Sequence, residues 1–119
     1  MRTLLMAAAL AAAVLPAAAV HAADYPNKAV RMVIAFTPGG PSDILSRLVG
    51  AKLSERMGQP VVFDNRPGAG GNVAGEIVAT SPADGYTIMI ANNSILAANA
   101  SLYKKMTFNP AKDLVPVVW

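Results

Sequence analysis

Two glycine-rich stretches contain the residues of this sequence that are best suited to chemistry. One is Gly39-Gly40, followed by Ser42 and Asp43, and the other is Gly68-Ala69-Gly70-Gly71, followed by Asn72. Each stretch leads into a segment whose apolar residues recur at helical spacing. A helix N-terminus offers unpaired N–H groups and the positive end of the helix dipole, so a glycine-rich loop that enters it is suited to hold an anion. The pattern predicts a carboxylate site built chiefly from backbone donors.

Neutral side chains near these loops could add contacts that orient a ligand without burying an unpaired charge. Asp43 could accept an ammonium or hydroxyl group of the ligand, and Arg66 either pairs with a carboxylate or is solvated. The alternative for every glycine is that it only allows a tight turn. The candidate ligand-binding residues are Pro38, Gly39, Gly40, Ser42, Asp43, Gly68, Ala69, Gly70, Gly71, Asn72, Asn92, Asn93 and Ser94.

Catalytic, metal-binding and cofactor-binding arrangements find little support. The chain has no cysteine, and its one histidine is His21, close to the N-terminus, so a Ser-His-Asp arrangement has no base. A Walker A motif is excluded because Glu76 stands where a lysine is needed, and Val73 occupies the third glycine position of the dinucleotide fingerprint. The formal net charge is only +3, and the basic residues form no stripe. We expect a binding protein that is not an enzyme, uses no cofactor or metal, and does not bind nucleic acid.

The loops must be positioned by strands and helices, and the hydrophobic pattern predicts both. Strands are expected at residues 30–36, 60–64 and 86–91, each with a length that suits a buried strand. Helices are expected after Ser42 and Asn72, which are candidate N-caps, and over residues 95–98. Residues 108–110 indicate a turn, and residues 114–119 could begin another strand. This alternation predicts an α/β fold with a parallel sheet, helices on both faces, and all strand-to-helix loops at one edge.

The first residues form a separate unit. Met1-Arg2 supplies a positive charge, residues 4–15 are apolar, and Val20-His21-Ala22 resembles a signal-peptidase site. A membrane anchor is the alternative, but Pro16 and His21 interrupt the run well short of the roughly 20 residues that a spanning helix needs. We therefore expect residues 1–22 to be a cleaved signal peptide and residues 23–119 to be exported to the periplasm.

Several stretches resemble one known family. Tyr25-Pro26-Asn27-Lys28 and residues 36–43, 53–75, 82–92 and 102–117 are similar to the receptors of tripartite tricarboxylate transporters, also called Bug proteins. The NRPGAGG string, between a predicted strand and a predicted helix, is the most specific of these motifs. The resemblance implies a two-lobed, type II-like periplasmic binding protein whose two glycine-rich loops bind a ligand carboxylate. Members of that family are much longer, so this chain is expected to be the first part of one lobe, truncated before the second.

The resemblance also implies partners. The expected ligand is a di- or tricarboxylate or a related acid, and the expected partners are the membrane permease subunits of a tripartite transporter. An alternative is a sensing role, in which the loaded protein contacts a sensor kinase. The sequence does not distinguish these two roles.

Overall fold

The computed structural model describes residues 24–118, and the predicted signal peptide at residues 1–22 lies outside them. In chain order the elements are β1 (Val30–Ile34), α1 (Pro41–Met57), β2 (Val61–Asn65), a 3-10 turn (Ala69–Gly71), α2 (Asn72–Ala79), β3 (Thr87–Met89), a π-helical turn (Ser94–Ala98), α3 (Asn99–Leu102) and α4 (Pro110–Asp113). No helix in this part of the chain is both long and apolar enough to cross a bilayer.

The strands form a parallel sheet in the order β2-β1-β3, which confirms the predicted α/β architecture. In the register of the sheet, Val33 of β1 lies between Asp64 of β2 and Met89 of β3. Four of the five residues of β1 are buried, as expected for a central strand that is covered on both faces.

Helices cover the two faces of the sheet. On one face, Val33 and Ala35 pack in a cluster with Ala74 of α2. On the other face α1 lies so close that a Cβ added at Gly50 would be 2.6 Å from the Phe63 ring. The chain therefore crosses from β1 to β2 on one face of the sheet and from β2 to β3 on the opposite face.

The apolar residues of α1 point away from the sheet. The helix itself is confirmed, but its exposed side carries Ile44 and Leu48, which are 61% and 65% exposed, while Asp43, Ser46 and Gly50 are buried. Small residues on the inner side let the helix approach the sheet closely. The size of these residues, rather than the apolar repeat, therefore determines which side of α1 faces the sheet.

Both predicted N-caps are wrong. Helix α1 begins at Pro41 with Gly40 at its N-cap, and α2 begins at Asn72 with Gly71 at its N-cap. Proline at the first helical position has the φ that a helix needs, and its missing N–H costs nothing there. Ser42 and Asn72 therefore lie inside the helices, past the positions at which their side chains would cap.

Other boundaries also differ from the predictions. The third strand has three residues rather than six, and residues 114–118 form no strand, with Val115 85% exposed. The expected turn at residues 108–110 is the start of α4, where the Asn109 side chain accepts a hydrogen bond from the Ala111 N–H at 3.0 Å. Phe108 is buried against Gly75, so this segment is tied to α2.

Candidate functional site

Three loops meet at the carboxyl edge of the sheet. We call residues 35–40 the first loop, residues 66–71 the second loop and residues 90–93 the third loop. Because β1 pairs in parallel with both β2 and β3, all three loops leave the same edge, as predicted. The chain leaves β1 and β2 toward opposite faces, and such a switch in direction opens the crevice in which α/β sheets bind ligands.

Asp43 holds the first loop in place. Its Oδ2 accepts hydrogen bonds from the Gly39 N–H at 2.9 Å and from Arg47 Nε at 3.0 Å. Its Oδ1 accepts from Asn65 Nδ2 at 3.0 Å, and Asn65 Nδ2 also donates to the Phe36 carbonyl. The carboxylate thus ties the start of α1 and the first loop to the end of β2.

These donors stabilise the ionised form of Asp43. The side-chain hydrogen bond from Arg47, then the Gly39 amide and the Asn65 amide, lower the pKa of Asp43 well below its ordinary value. The side chain is only 5% exposed. This geometry gives Asp43 a role in positioning the loop, rather than leaving its carboxylate open for an ammonium or hydroxyl group of a ligand.

The free donors next to the first loop are backbone amides in the first turn of α1. The first i→i−4 bond of the helix runs from the Ile44 N–H to the Gly40 carbonyl at 3.0 Å, so the amides of Ser42 and Asp43 precede the helical ladder. Gly40 at the N-cap provides no side-chain oxygen for them. The Gly40 N–H makes only a long contact, 3.4 Å, with the Thr37 carbonyl.

Arg66 of the second loop is paired within the protein. Its Nε donates to Asp64 Oδ1 at 2.9 Å, and Arg31 binds the other oxygen of the same carboxylate. Hydrogen bonding from Arg31 is the main cause that lowers the pKa of Asp64; burial opposes it, and Arg66 adds to it. The Arg66 side chain is 52% exposed and already paired with Asp64, which argues against an ion pair with a ligand.

The second loop has an unusual backbone. Its last four residues, Gly68, Ala69, Gly70 and Gly71, all have positive φ values, from 46° at Ala69 to 140° at Gly68. The Gly71 N–H donates to the Gly68 carbonyl at 2.9 Å, and the Asn72 N–H donates to the Ala69 carbonyl. These two amides are therefore occupied. The N–H groups of Ala69 and Gly70 make no hydrogen bond among the described residues and are the available donors of this loop.

Gly71 has a packing role that the sequence pattern does not indicate. It is buried, and a Cβ at this position would lie 2.6 Å from Ile95 Cγ1 and 3.3 Å from the Cβ of Ala35. The missing side chain lets the start of α2 contact both the first residue of the first loop and the π-helical turn. Gly71 thus packs the second loop against the first loop and the π-helical turn.

The third loop is ordered by Asn92, whose Oδ1 accepts from the Ile95 N–H at 3.2 Å. Asn93 is exposed and Ser94 is half-buried. Asn99 was not among the predicted site residues, yet it is 3% exposed and contacts the second loop through its side-chain amide. Its only sequence signal is a polar residue inside a small apolar segment.

The part of the chain that the structure describes contains no metal site beside these loops. Within residues 24–118, no three His, Cys, Asp or Glu side chains are placed to hold a metal ion. An open groove of about 450 Å³ lies beside α3 and α4, lined by residues that include Tyr103, Lys104 and Phe108. None of the predicted ligand-binding residues lines that groove.

A doubly covered parallel sheet with glycine-rich helix starts at its carboxyl edge is the architecture of a lobe of a periplasmic binding protein. Comparison with known sequences identifies the family. The profile of the tripartite tricarboxylate transporter family receptor matches residues 45–119. The chain therefore belongs to this family, as the motifs indicated.

Individual relatives agree with this assignment. A UPF0065 protein of Bordetella bronchiseptica is 42% identical over 116 residues, covering 98% of this chain and 34% of the relative. Protein BugT of Bordetella pertussis is 41% identical over 102 residues, covering 85% of this chain and 31% of BugT. The chain thus spans about a third of the length of these curated relatives.

Solved structures show the same fold. R. palustris Rpa4515 with adipate is 47% identical, with a TM-score of 0.70, and the match covers 73% of this chain and 29% of that one. MatC (Rpa3494) from Rhodopseudomonas palustris with bound malate is 35% identical, with a TM-score of 0.75, over 78% of this chain and 32% of MatC. Both are bound to dicarboxylates, and this confirms carboxylate binding as a property of similar proteins.

Proposed function

We propose that this protein is the solute-binding receptor of a tripartite tricarboxylate transporter. It binds a small carboxylate reversibly in the periplasm, without converting it, and delivers it to the permease subunits in the membrane. Residues 1–22 serve as the signal peptide, with cleavage after Ala22 or Ala23, and residues 23–119 contribute the first part of one lobe.

The observation that carries this proposal is the start of α1. A 17-residue helix points the amides of Ser42 and Asp43 toward the carboxyl edge, and Gly40 leaves them without a side-chain cap. A Ser, Thr, Asp or Asn cap would bond such amides with its side-chain oxygen, whereas glycine has no side chain and leaves room for an external anion. The adipate and malate complexes of similar proteins support a carboxylate as that anion.

The test replaces the ligand with a built-in cap. Gly40 has φ −79° and ψ 169°, which any residue can adopt, and a Cβ there would meet only the Thr37 carbonyl at 3.5 Å. In Gly40→Asp the new carboxylate should accept the amides of Ser42 and Asp43 itself. It should therefore stabilise the helix while it competes with the ligand.

Calorimetric titration should use the protein expressed from its complete reading frame, with adipate and malate as ligands and the neutral adipamide as a control. We expect Gly40→Asp to lose about ten- to hundredfold in carboxylate affinity, because at least one charge-assisted hydrogen bond is lost. Gly40→Ala is the matched variant without a cap oxygen and should lose less. A wild-type protein that binds no carboxylate, or a Gly40→Asp variant with unchanged affinity, contradicts the proposal.

A further inference from the structure

Asn99 connects α3 to the second loop and to the start of α2. Its Nδ2 donates to the Gly70 carbonyl at 3.1 Å and to Asn72 Oδ1 at 2.7 Å. The residue is almost completely buried, so both bonds are shielded from solvent. No part of the carboxylate site described above explains why a carboxamide is buried here.

The polarity of these bonds follows from chemistry. A backbone carbonyl can only accept, so the Asn99 atom that faces Gly70 must be the NH2 group. Its second hydrogen points to Asn72, and the atom of Asn72 that receives it must be the carboxamide oxygen. The NH2 group of Asn72 therefore does not contact Asn99 through this bond, and no hydrogen bond among residues 24–118 uses it.

The same contacts hold the Gly70 and Gly71 backbone. Asn99 binds the Gly70 carbonyl oxygen, and the Gly68 carbonyl binds the Gly71 N–H, so the peptide between the two glycines is held at both ends. Glycines tolerate both signs of φ, so an untethered peptide between two of them can rotate at little cost. Rotation would release the carbonyl oxygen, which repels an anion if it turns toward the site.

We propose that Asn99 is a positioning residue for the carboxylate site. It turns the NH2 group of Asn72 outward as a donor and keeps the Gly70 carbonyl bonded away from the anion. This inference rests on the proposed function for its ligand. It adds a specific polar donor, Asn72, and the buried residue that orients it.

Which of the two side-chain NH2 groups, that of Asn99 or that of Asn72, is protected from solvent can be measured without a ligand. In nitrogen-15 NMR spectra of the unliganded wild-type protein, the side-chain NH2 of Asn99 should exchange slowly with water, and that of Asn72 should exchange rapidly. The reverse pattern overturns the inference whether or not the protein binds carboxylates.

Binding measurements test the consequence. Asn72→Asp keeps an oxygen for Asn99 but removes the donor and adds a negative charge, so affinity for adipate or malate should fall about ten- to hundredfold or more while the unfolding midpoint stays close to that of the wild type. Asn99→Asp cannot donate to Gly70 at neutral pH and should also weaken binding. If Asn99→Asp fails to fold, the Asn72→Asp result and the exchange pattern still decide.

The matched control is Asn27→Asp, which makes the same change before β1, at the opposite edge of the sheet. Asn27 Oδ1 accepts from the Tyr86 hydroxyl at 3.0 Å, and aspartate keeps that acceptor. Its affinity should equal that of the wild type. Wild-type affinity in Asn72→Asp overturns the inference alone, whereas a wild-type protein that binds no carboxylate overturns the proposed function and the ligand role of Asn72 with it.

Discussion

Replacement of Gly71 by alanine tests how the second loop packs against the first loop and the π-helical turn. Gly71 has φ +98°, and the added Cβ would lie 2.6 Å from Ile95 Cγ1 and 2.7 Å from Ile95 Cδ1. Gly58 is the matched control, because it has φ +65° but nothing within 4 Å of its Cβ position. Both substitutions place an alanine in the left-handed region, and only Gly71→Ala also forces a side chain into a packed contact.

The two effects have separate magnitudes. A left-handed alanine costs about 1–2 kcal/mol, and overpacking of a buried contact costs about 1–3 kcal/mol more. Gly58→Ala should therefore lower the free energy of unfolding by about 1–2 kcal/mol, and Gly71→Ala by about 2–5 kcal/mol. The gain from a less flexible unfolded chain is common to both variants and cancels in their difference.

Urea denaturation, followed by circular dichroism on the protein from its complete reading frame, measures both values. Ile95→Val removes Cδ1 and should relieve part of the clash, so the double variant with Gly71→Ala should be more stable than the sum of the single effects by at least about 0.5 kcal/mol. Equal losses in Gly71→Ala and Gly58→Ala, with no coupling to Ile95, would refute the packing role of Gly71.

Three further outcomes are expected. The lowered pKa of Asp43 means that its carboxylate stabilises the fold at neutral pH and that this stability is lost as the pH falls below the ordinary carboxyl pKa of about 4. Urea midpoints from pH 7 to pH 2 should thus fall less steeply in Asp43→Asn than in the wild type, and parallel curves would contradict this. The Ser46 hydroxyl is buried and has no hydrogen-bond partner among the described residues. Ser46→Ala should therefore raise the unfolding free energy by about 1 kcal/mol. A decrease in the same denaturation assay would be evidence that the hydroxyl has a partner. Arg66→Ala should change carboxylate affinity by no more than about twofold, because Arg66 is half-exposed and bound to Asp64, and a tenfold loss by calorimetry would instead indicate an ion pair with the ligand.

Local pattern was sufficient to predict the architecture. Hydrophobic residues recur at different spacings in strands and in helices, and Gly and Pro residues separate the two patterns. The order of elements from β1 to the segment after β3, and the common edge of the loops, were therefore predicted correctly, whereas the elements after residue 107 were not. The NRPGAGG motif indicated the family that the comparisons confirm. These features depend on residues that are neighbours in the chain, and neighbouring residues influence one another before any tertiary contact forms.

The tertiary structure decided which groups of the site are free. From the sequence, Asp43 could accept an ammonium or hydroxyl group of a ligand, yet Arg47, Gly39 and Asn65 already donate hydrogen bonds to it. The Gly71 amide lies in the predicted loop, yet the turn uses its N–H. A hydrogen-bonding group can serve a ligand only when the fold has not paired it, and that pairing depends on register and packing.

The exposure of the apolar side of α1 and the role of Asn99 also depend on contacts between residues that are distant in the sequence. Periodicity predicted the helix but not which side faces the sheet, because the side that packs on the sheet is the one where Gly50 allows a close approach to Phe63. Asn99 reaches Gly70 across a separation of 29 residues. The sequence alone determined the strands and helices from β1 to β3 and the family, whereas contacts between distant residues, which depend on the close packing of the folded chain, determined the donors that the site presents.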